Sequence, residues 1–467
     1  MTDGTPAVLG EKLPYFFVSF VLLILAYTFN NGLFYHPAQL WLLVLSWLVL
    51  LLPLLKNKWL VLKNFGETNN YLLIICLISF ILFYFFDNGI YLISKQGFNN
   101  IVTLKFLALI LFLLYFIRFD FRGQNLFSVV IGHLAKYKFY YLIGLALVLR
   151  LLVIYYSPAP KIDVYWVLNG GAQAILEGHN PYSATFKNIY STEACLAIYH
   201  RADCPNDSYS YLPATILMTA PFYAIFGDIR SAFIFLVFGC ALIGYLLLRK
   251  AKQPKLTAEL ITLLILYLPL SLFVLEQSWM DQLWLFLIYF FVWSIVWQRD
   301  YLAYFFAGLV IASKPTMLIL PIFLSKYKGT SLKKIVMTSA VFVAVCLPFL
   351  FWNYHDFVKD ILFDQIKFDG SYYSLSFFNV FKMIFFSTIP AWISILMTVI
   401  GLAYIWVKGN NSLTSVIHGL TLFLLAVFII QRGFVNYYFS LGGLLILLII
   451  LELIRGQGED KILKFQN

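Results

Sequence analysis

The sequence predicts an all-α, polytopic membrane helical bundle, and three observations predict it. Of the 467 residues, 62% are hydrophobic and 12% are charged, with a mean hydropathy of +0.84. Apolar runs suited to a hydrocarbon layer of about 30 Å recur along the chain, giving about fourteen helical segments, some too short to span alone. The basic residues behind the net charge of +11 gather in short gaps between these runs. No soluble core uses so much apolar surface. The charge reads as an orientation signal and as attraction to anionic headgroups, and the 47 Phe and 31 Tyr suit interfacial belts; nucleic-acid binding is not expected.

The first five runs lie near 14–30, 38–55, 70–86, 101–117 and 139–156. Lys12 precedes the first, and no small-residue cleavage site follows it, so it reads as a retained span. Lys56, Lys58 and Lys63 mark one cytoplasmic loop, and Arg118, Arg122, Lys136 and Lys138 mark the next. That places both termini inside and the loop after residue 156 outside. The 213–227 run is short, and if both it and 229–248 crossed, the cluster Arg249, Lys250, Lys252 and Lys255 would lie outside; 213–227 therefore reads as interfacial or re-entrant. Spans follow at 257–275 and 282–298, and 300–327 is interrupted by Lys314-Pro315, predicting two short helices that go out and return. The remaining spans are 335–351, 390–407, 412–430 and 437–454. No fixed-period repeat is visible.

Two polar outer loops stand out. In the first, Lys161, Asp163, Tyr165 and Trp166 follow a Pro-broken helix end, His179 sits in a Gly-His-Asn-Pro turn, and Tyr209 and Tyr211 lead into the short apolar run. A carboxylate at a lipid-water boundary among aromatic rings loses hydration and becomes a better base, so Asp163 is a candidate reactive centre; the plain reading is an acid that ends a helix. Cys195 and Cys204 share this loop and pair if it faces an oxidising compartment, whereas Cys76, Cys240 and Cys346 read as packing residues. His200 and Asp203 accompany the two cysteines, but the spacing matches no common zinc pattern, and no metal or cofactor is expected. The second outer loop carries His355, Asp356, Asp360, Asp364, Lys367, Asp369 and Tyr372, with Lys382 beyond it. His355 and Lys382 allow a phosphate contact or an ordinary helix-end role.

The order of these segments carries a resemblance. Asp163 followed by a helix, then Glu177-Gly178-His179-Asn180-Pro181-Tyr182, then Tyr209-Ser210-Tyr211-Leu212-Pro213 leading to Pro221, resembles the GT-C superfamily of integral-membrane glycosyltransferases. The likeness is to the polyprenol-phosphate-mannose-dependent mannosyltransferases. Glu276-Gln277-Ser278-Trp279-Met280-Asp281 resembles their polar outer turn, and Ala307-Gly308 to Lys314-Pro315 their Ala-Gly to Lys-Pro segment. The resemblance implies a GT-C-like core at 139–330 with outer loop 157–228, preceded by N-terminal helices (1–138) and followed by C-terminal helices (331–467) with outer loop 352–389.

It also implies a polyprenyl-phosphate sugar donor, a glycolipid, glycan or protein acceptor, and Asp163 as general base in an inverting transfer on the outer face of a bacterial cell membrane. The leaving phosphate needs positive charge. Arg432 is a candidate for that task and equally an interfacial arginine reaching headgroups. Lys314 is costly to bury unless a phosphate or an acid such as Asp281 offsets it. Asp281 and Gln277 are candidates for substrate contact, and Glu276 reads as a solvated turn acid. The rival class is a lipid or solute transporter, which predicts midplane ionisable groups and internal symmetry.

Overall fold

The computed structural model describes residues 12–29, 35–55, 68–117, 126–199, 208–363, 374–385, 391–431 and 433–455. Among these the chain is helical throughout, with no strand. Eight helices are long and apolar enough to cross a membrane: Pro37–Leu54, Thr68–Phe86, Lys95–Leu113, Ser128–Tyr156, Arg230–Lys250, Leu332–Trp352, Leu413–Ile430 and Val435–Arg455. The last two are mostly enclosed by protein, whereas Leu332–Trp352 presents most of its surface outward. Others of the expected fourteen segments form shorter apolar helices, among them Leu13–Thr28, Pro213–Phe226, Gln282–Val296, Asp300–Ile311 and Pro315–Leu324.

The chain passes back and forth between two ends. From one end α1 (Leu13–Thr28), α3 (Thr68–Phe86) and α5 (Leu126–Tyr156) rise, and α2 (Pro37–Leu51) and α4 (Lys95–Leu113) return. The loop before α4 is tied to the end of α5 by Ile93 N donating to the Tyr156 carbonyl at 2.8 Å. The helix expected over 139–156 begins thirteen residues earlier at Leu126, so Lys136 and Lys138 sit on α5 rather than in a loop. Lys138 Nζ reaches back to the Leu114 carbonyl and lies over the Tyr115 ring, so its long stem keeps the charge at the basic end.

Two amphipathic pieces follow, α6 (Asp163–Leu176) and α7 (Thr192–Tyr199). Cys195 on α7 is disulfide-bonded, Cys76, Cys240 and Cys346 are free and buried, and Cys204 lies outside the described residues. α8 (Pro213–Phe226) packs on α6 and ends at Gly227, whose φ of 70° suits glycine. Ala214 N at its start donates to the Ala312 carbonyl, and Arg230 just past its end donates to the Ser157 carbonyl. Both flanks of α8 thus sit at one end of the bundle, and the helix does not cross.

After α9 (Arg230–Lys250), the run expected as one span over 257–275 is two helices, α10 (Lys255–Leu266) and α11 (Ser271–Glu276). Pro269 removes an N–H, and Leu270 adopts a left-handed φ of 66°, which a branched side chain resists. The freed groups are satisfied from the N-terminal helices. Arg150 donates to the Leu266 carbonyl at 2.6 Å and Ser79 to the Tyr267 carbonyl at 2.9 Å. Asp87 accepts from Leu272 N (3.0 Å) and Phe273 N (2.8 Å), capping α11 from a distant loop. Arg150 and Asp87 are fully buried, and so is Lys105, which donates to the Phe83 and Asp87 carbonyls and to Asn88.

Next come α12 (Gln282–Val296), α13 (Asp300–Ile311), a 3-10 turn Pro315–Ile319 and α14 (Leu320–Leu324). The chain closes with α15 (Leu332–Trp352), α16 (Tyr354–Val358), a π-helical turn Lys359–Phe363, α17 (Phe377–Phe385), α18 (Ala391–Lys408), α19 (Leu413–Ile430) and α20 (Val435–Arg455). α20 packs against α1, α9 and α19 and is the buried centre of the bundle. Arg150→Met should destabilise the detergent-purified protein by about 1–3 kcal/mol, since it leaves the buried Leu266 carbonyl without its donor and removes a positive charge that acts on Asp87. Ser79→Ala should cost about 1 kcal/mol. Thermal unfolding measures both, and an Arg150 variant as stable as the wild type would remove the guanidinium from the capping role.

Candidate active site

Asp163 opens α6. Pro158 and Pro160 end the preceding helix, Ile162 is extended at the N-cap, and the Asp163 carboxylate accepts from Val164 N at 2.8 Å in the first turn, where the helix dipole favours negative charge. The side chain is half-buried. Its charge is felt in two directions. The Tyr211 hydroxyl is pushed well above its ordinary pKa by burial, then by the Asp281 and Asp163 carboxylates; the Tyr91 hydroxyl is raised by burial, then by Glu276 and Asp163.

Across Tyr211 stands a constellation built by three chain-distant segments. The turn after α11 uses Ser278 at a φ of 58° to deliver Asp281 to the N-cap of α12. One Asp281 oxygen accepts from Lys314 Nζ and, at 3.2 Å, from Trp284 Nε1; the other accepts from Asn436 Nδ2. Lys314 occupies the extended residue that starts the 3-10 turn, and its ammonium sits 3.7 Å from the centroid of the Tyr437 ring. Asp281 is 8% exposed. An ion pair so enclosed has a much stronger mutual attraction than one in water, and a correspondingly larger desolvation cost.

The depth of the pair follows from helix lengths. α12 and α13 have 15 and 12 residues. At 1.5 Å per residue they rise about 22 and 18 Å, against a hydrocarbon layer of about 30 Å. The neighbouring α9 has 21 residues, and Lys250 at its end donates to the Val296 carbonyl at the end of α12, so Asp281 at the start of α12 lies short of the level where α9 begins.

The rim is clamped by charges spent on structure. Glu276, fully buried, accepts from Ile90 N (2.6 Å) and Tyr91 N (2.9 Å), which holds the α3–α4 loop; burial raises its pKa against these bonds. The turn acid is therefore an internal tie and not a solvated group. Arg230, also fully buried, makes a bidentate pair with Asp228, donates to the Ser157 carbonyl at 2.7 Å and lies over the Tyr165 ring. Asp360 on the π-helical turn accepts from Tyr209 N at 2.7 Å, joining the second outer loop to the first.

The other candidates divide by this geometry. Tyr165 is buried and donates to the Pro158 carbonyl, and Gln277 is buried and donates to Glu276. Tyr209 is fully buried amid Tyr182, Phe186 and Tyr211. Lys161 is exposed, and His179 and His355 are exposed beside Glu177 and Asp356 respectively. Lys382 is buried on α17. Arg432, Asp364, Lys367, Asp369 and Tyr372 lie outside the described residues; Gln431 and Gly433, flanking Arg432, bond to Ser376 and Leu375. Thus Asp281 and Lys314 meet directly, Asp163 and Asp281 both act on the Tyr211 hydroxyl, and His179 and His355 pair with acids of their own loops.

Sequence reasoning passed over Asn436, Tyr437, Trp284 and Arg230. Asn436 and Tyr437 lie in a polar break between two apolar runs, and Arg230 follows a Gly-Asp turn, so the signals were present. Among the described residues, no group of three or more His, Cys, Asp or Glu side chains is placed to hold a metal ion. Comparison of the chain with known protein families, with curated proteins and with solved structures finds no match in any of the three.

Asp281→Asn and Lys314→Met should each destabilise the protein by about 1–3 kcal/mol, because each leaves a mostly buried partner charge unpaired. Asp281→Asn combined with Lys314→Met should cost less than the sum of the two singles. Thermal unfolding of singles and double reads the cycle; additive losses would show that the two charges are not coupled.

Proposed function

We propose that the protein is a membrane glycosyltransferase of GT-C type that moves a sugar from a polyprenyl-phosphate donor to a hydroxyl acceptor. The observation that carries this reading is a half-buried carboxylate, Asp163, together with an enclosed Asp281–Lys314 pair, both carboxylates raising the pKa of the Tyr211 hydroxyl. The sugar in this reading is mannose or another hexose or pentose. Asp163 accepts the acceptor hydroxyl proton as that oxygen attacks the anomeric carbon. The bond from that carbon to the phosphate oxygen breaks, and its electron pair leaves with the phosphate. A single displacement inverts the anomeric centre without a covalent sugar-enzyme intermediate.

Lys314 is the described cation best set to meet the leaving phosphate. Its ammonium is oriented by Asp281, while Asn436 and Trp284 hold that carboxylate in turn. A donor phosphate therefore competes for a pre-positioned charge in a partly dry recess, where electrostatic stabilisation counts most. Arg432 is retained as a second cation of the same role. The opposite end of the bundle carries Lys250, Lys252, Lys255, Arg299, Lys326, Lys328, Lys333 and Lys334, which supports placing Asp163 on the non-cytosolic face. Lys105, Arg150 and His418, buried along the helices, are engaged by backbone carbonyls, which favours a structural use over a transport path.

Purified protein given polyprenyl-phosphate mannose and a lipid extract should form product with inverted anomeric configuration, read by NMR. Asp163→Asn should lower turnover by about 10²–10⁴-fold with folding intact. Unchanged turnover in that variant removes Asp163 from the mechanism, and solute uptake into vesicles with no turnover from any donor would establish a transporter instead.

A further inference from the structure

A recess runs along α6, and neither Asp281 nor Lys314 lines it. It is a cavity of about 720 Å³, within the range of small-molecule sites, walled by α6, by the 179–187 loop and by Tyr223 and Gly227 at the end of α8. At 100° per residue, Trp166, Gly170, Gln173, Ala174 and Glu177 share one helix face, spread over about 16 Å. Asp163 falls on the same face, one turn before Trp166.

The chemistry of the wall is specific in kind. Trp166, Tyr165, Tyr223 and Phe186 supply aromatic surface. Asn169, Gln173 and Asn180 supply amides, and Ser183 and Thr185 supply hydroxyls. Asn180 is 9% exposed; its carbonyl oxygen accepts from Tyr182 N, while its amide nitrogen has no hydrogen-bond partner among the described residues. Such a donor is costly to leave unmade, so it favours a ligand or water that brings an acceptor. The charges are balanced, Glu177 with His179 at 3.6 Å on one side and Lys187 over the Trp166 ring on the other. A phosphate would find no net positive field here. Aromatic faces beside amides and hydroxyls suit a neutral saccharide, whose C–H edges stack on the π-cloud while its hydroxyls meet the polar groups.

We infer that this cavity binds a neutral saccharide and that the saccharide is the acceptor, presented along α6 with its reacting hydroxyl toward Asp163. The inference rests on the glycosyltransferase reading for the word acceptor, and on the cavity alone for the word saccharide. Gln173, Glu177, His179, Thr185 and Lys187 are exposed, so the cavity opens to water, as a glycan arriving from solution requires. The donor's phosphate instead has its cation, Lys314, at the start of the 3-10 turn, paired with Asp281 at the N-cap of α12, which Asn436 of α20 also holds.

The test is saturation-transfer NMR and calorimetry on the full chain in detergent, with mannobiose and cellobiose as probes and thermal unfolding as the control for folding. One of the two should bind, and Trp166→Ala and Gln173→Ala should each weaken it about tenfold. Asp163→Asn should keep the affinity while losing transfer. Failure of folded wild-type protein to bind either probe overturns the site, as does affinity indifferent to both substitutions. Displacement of the bound probe by mannose 1-phosphate assigns the cavity to the donor sugar and overturns the acceptor role. Binding that depends on Trp166, with no transfer from any lipid-phosphate donor, keeps the saccharide site and removes the transferase reading.

Discussion

The constraint on which the rest of this structure depends is that backbone polar groups inside a hydrocarbon layer must find partners within the protein. Each one left unmade costs several kcal/mol. The chain breaks its helices twice inside the bundle, after Leu266 and after Ile311, and each break has its own solution. At the first, Arg150 and Ser79 take the carbonyls that α10 leaves open, and Asp87 takes the amides that open α11. The helices that supply them come from the first third of the chain. Those helices are therefore part of the core, because without them the 266–273 segment would be a set of orphan groups in an apolar medium.

The breaks in turn create the recess. Had α10–α11 and α13–α14 continued as straight spans, Glu276 and Lys314 would lie elsewhere. Instead the carboxylate of Glu276 folds back on the α3–α4 loop, and the turn that follows delivers Asp281 to the foot of a short helix. The second break delivers Lys314 to the same depth, and α20 contributes Asn436 and Tyr437 from the centre of the bundle. Low dielectric strengthens each of these contacts and also raises the cost of losing any one of them.

The polar rim works differently from the recess. Arg230 with Asp228, Asp360 with the Tyr209 amide, and Asn353 with Ser183 are ties between loops and short helices. They hold α6 and α8 on the bundle at one end, so that Asp163 at the first turn of α6 is aimed by rigid neighbours and not by a free loop. Burial, then the Asp281 and Asp163 carboxylates, hold the Tyr211 hydroxyl well above its ordinary pKa, so it adds no third negative charge.

Hydropathy determined that this is a helical membrane protein, and Lys314-Pro315 that 300–327 must break, since local composition decides partition into lipid and proline decides where a helix cannot continue. The same signal lay in Pro269 within the 257–275 run, where length alone suggested one span. Asp163 was legible too, as a carboxylate at the mouth of a Pro-broken helix. Tertiary structure alone decided that Glu276 is a structural tie, that Lys314 faces Asp281 and Asn436, and that His179 and His355 stand aside from that cluster. Residues 281, 314 and 436 are far apart in the chain, and their meeting depends on which helices pack as neighbours. That choice is made by side-chain fit and polar satisfaction over the whole bundle, so no local stretch of sequence contains it.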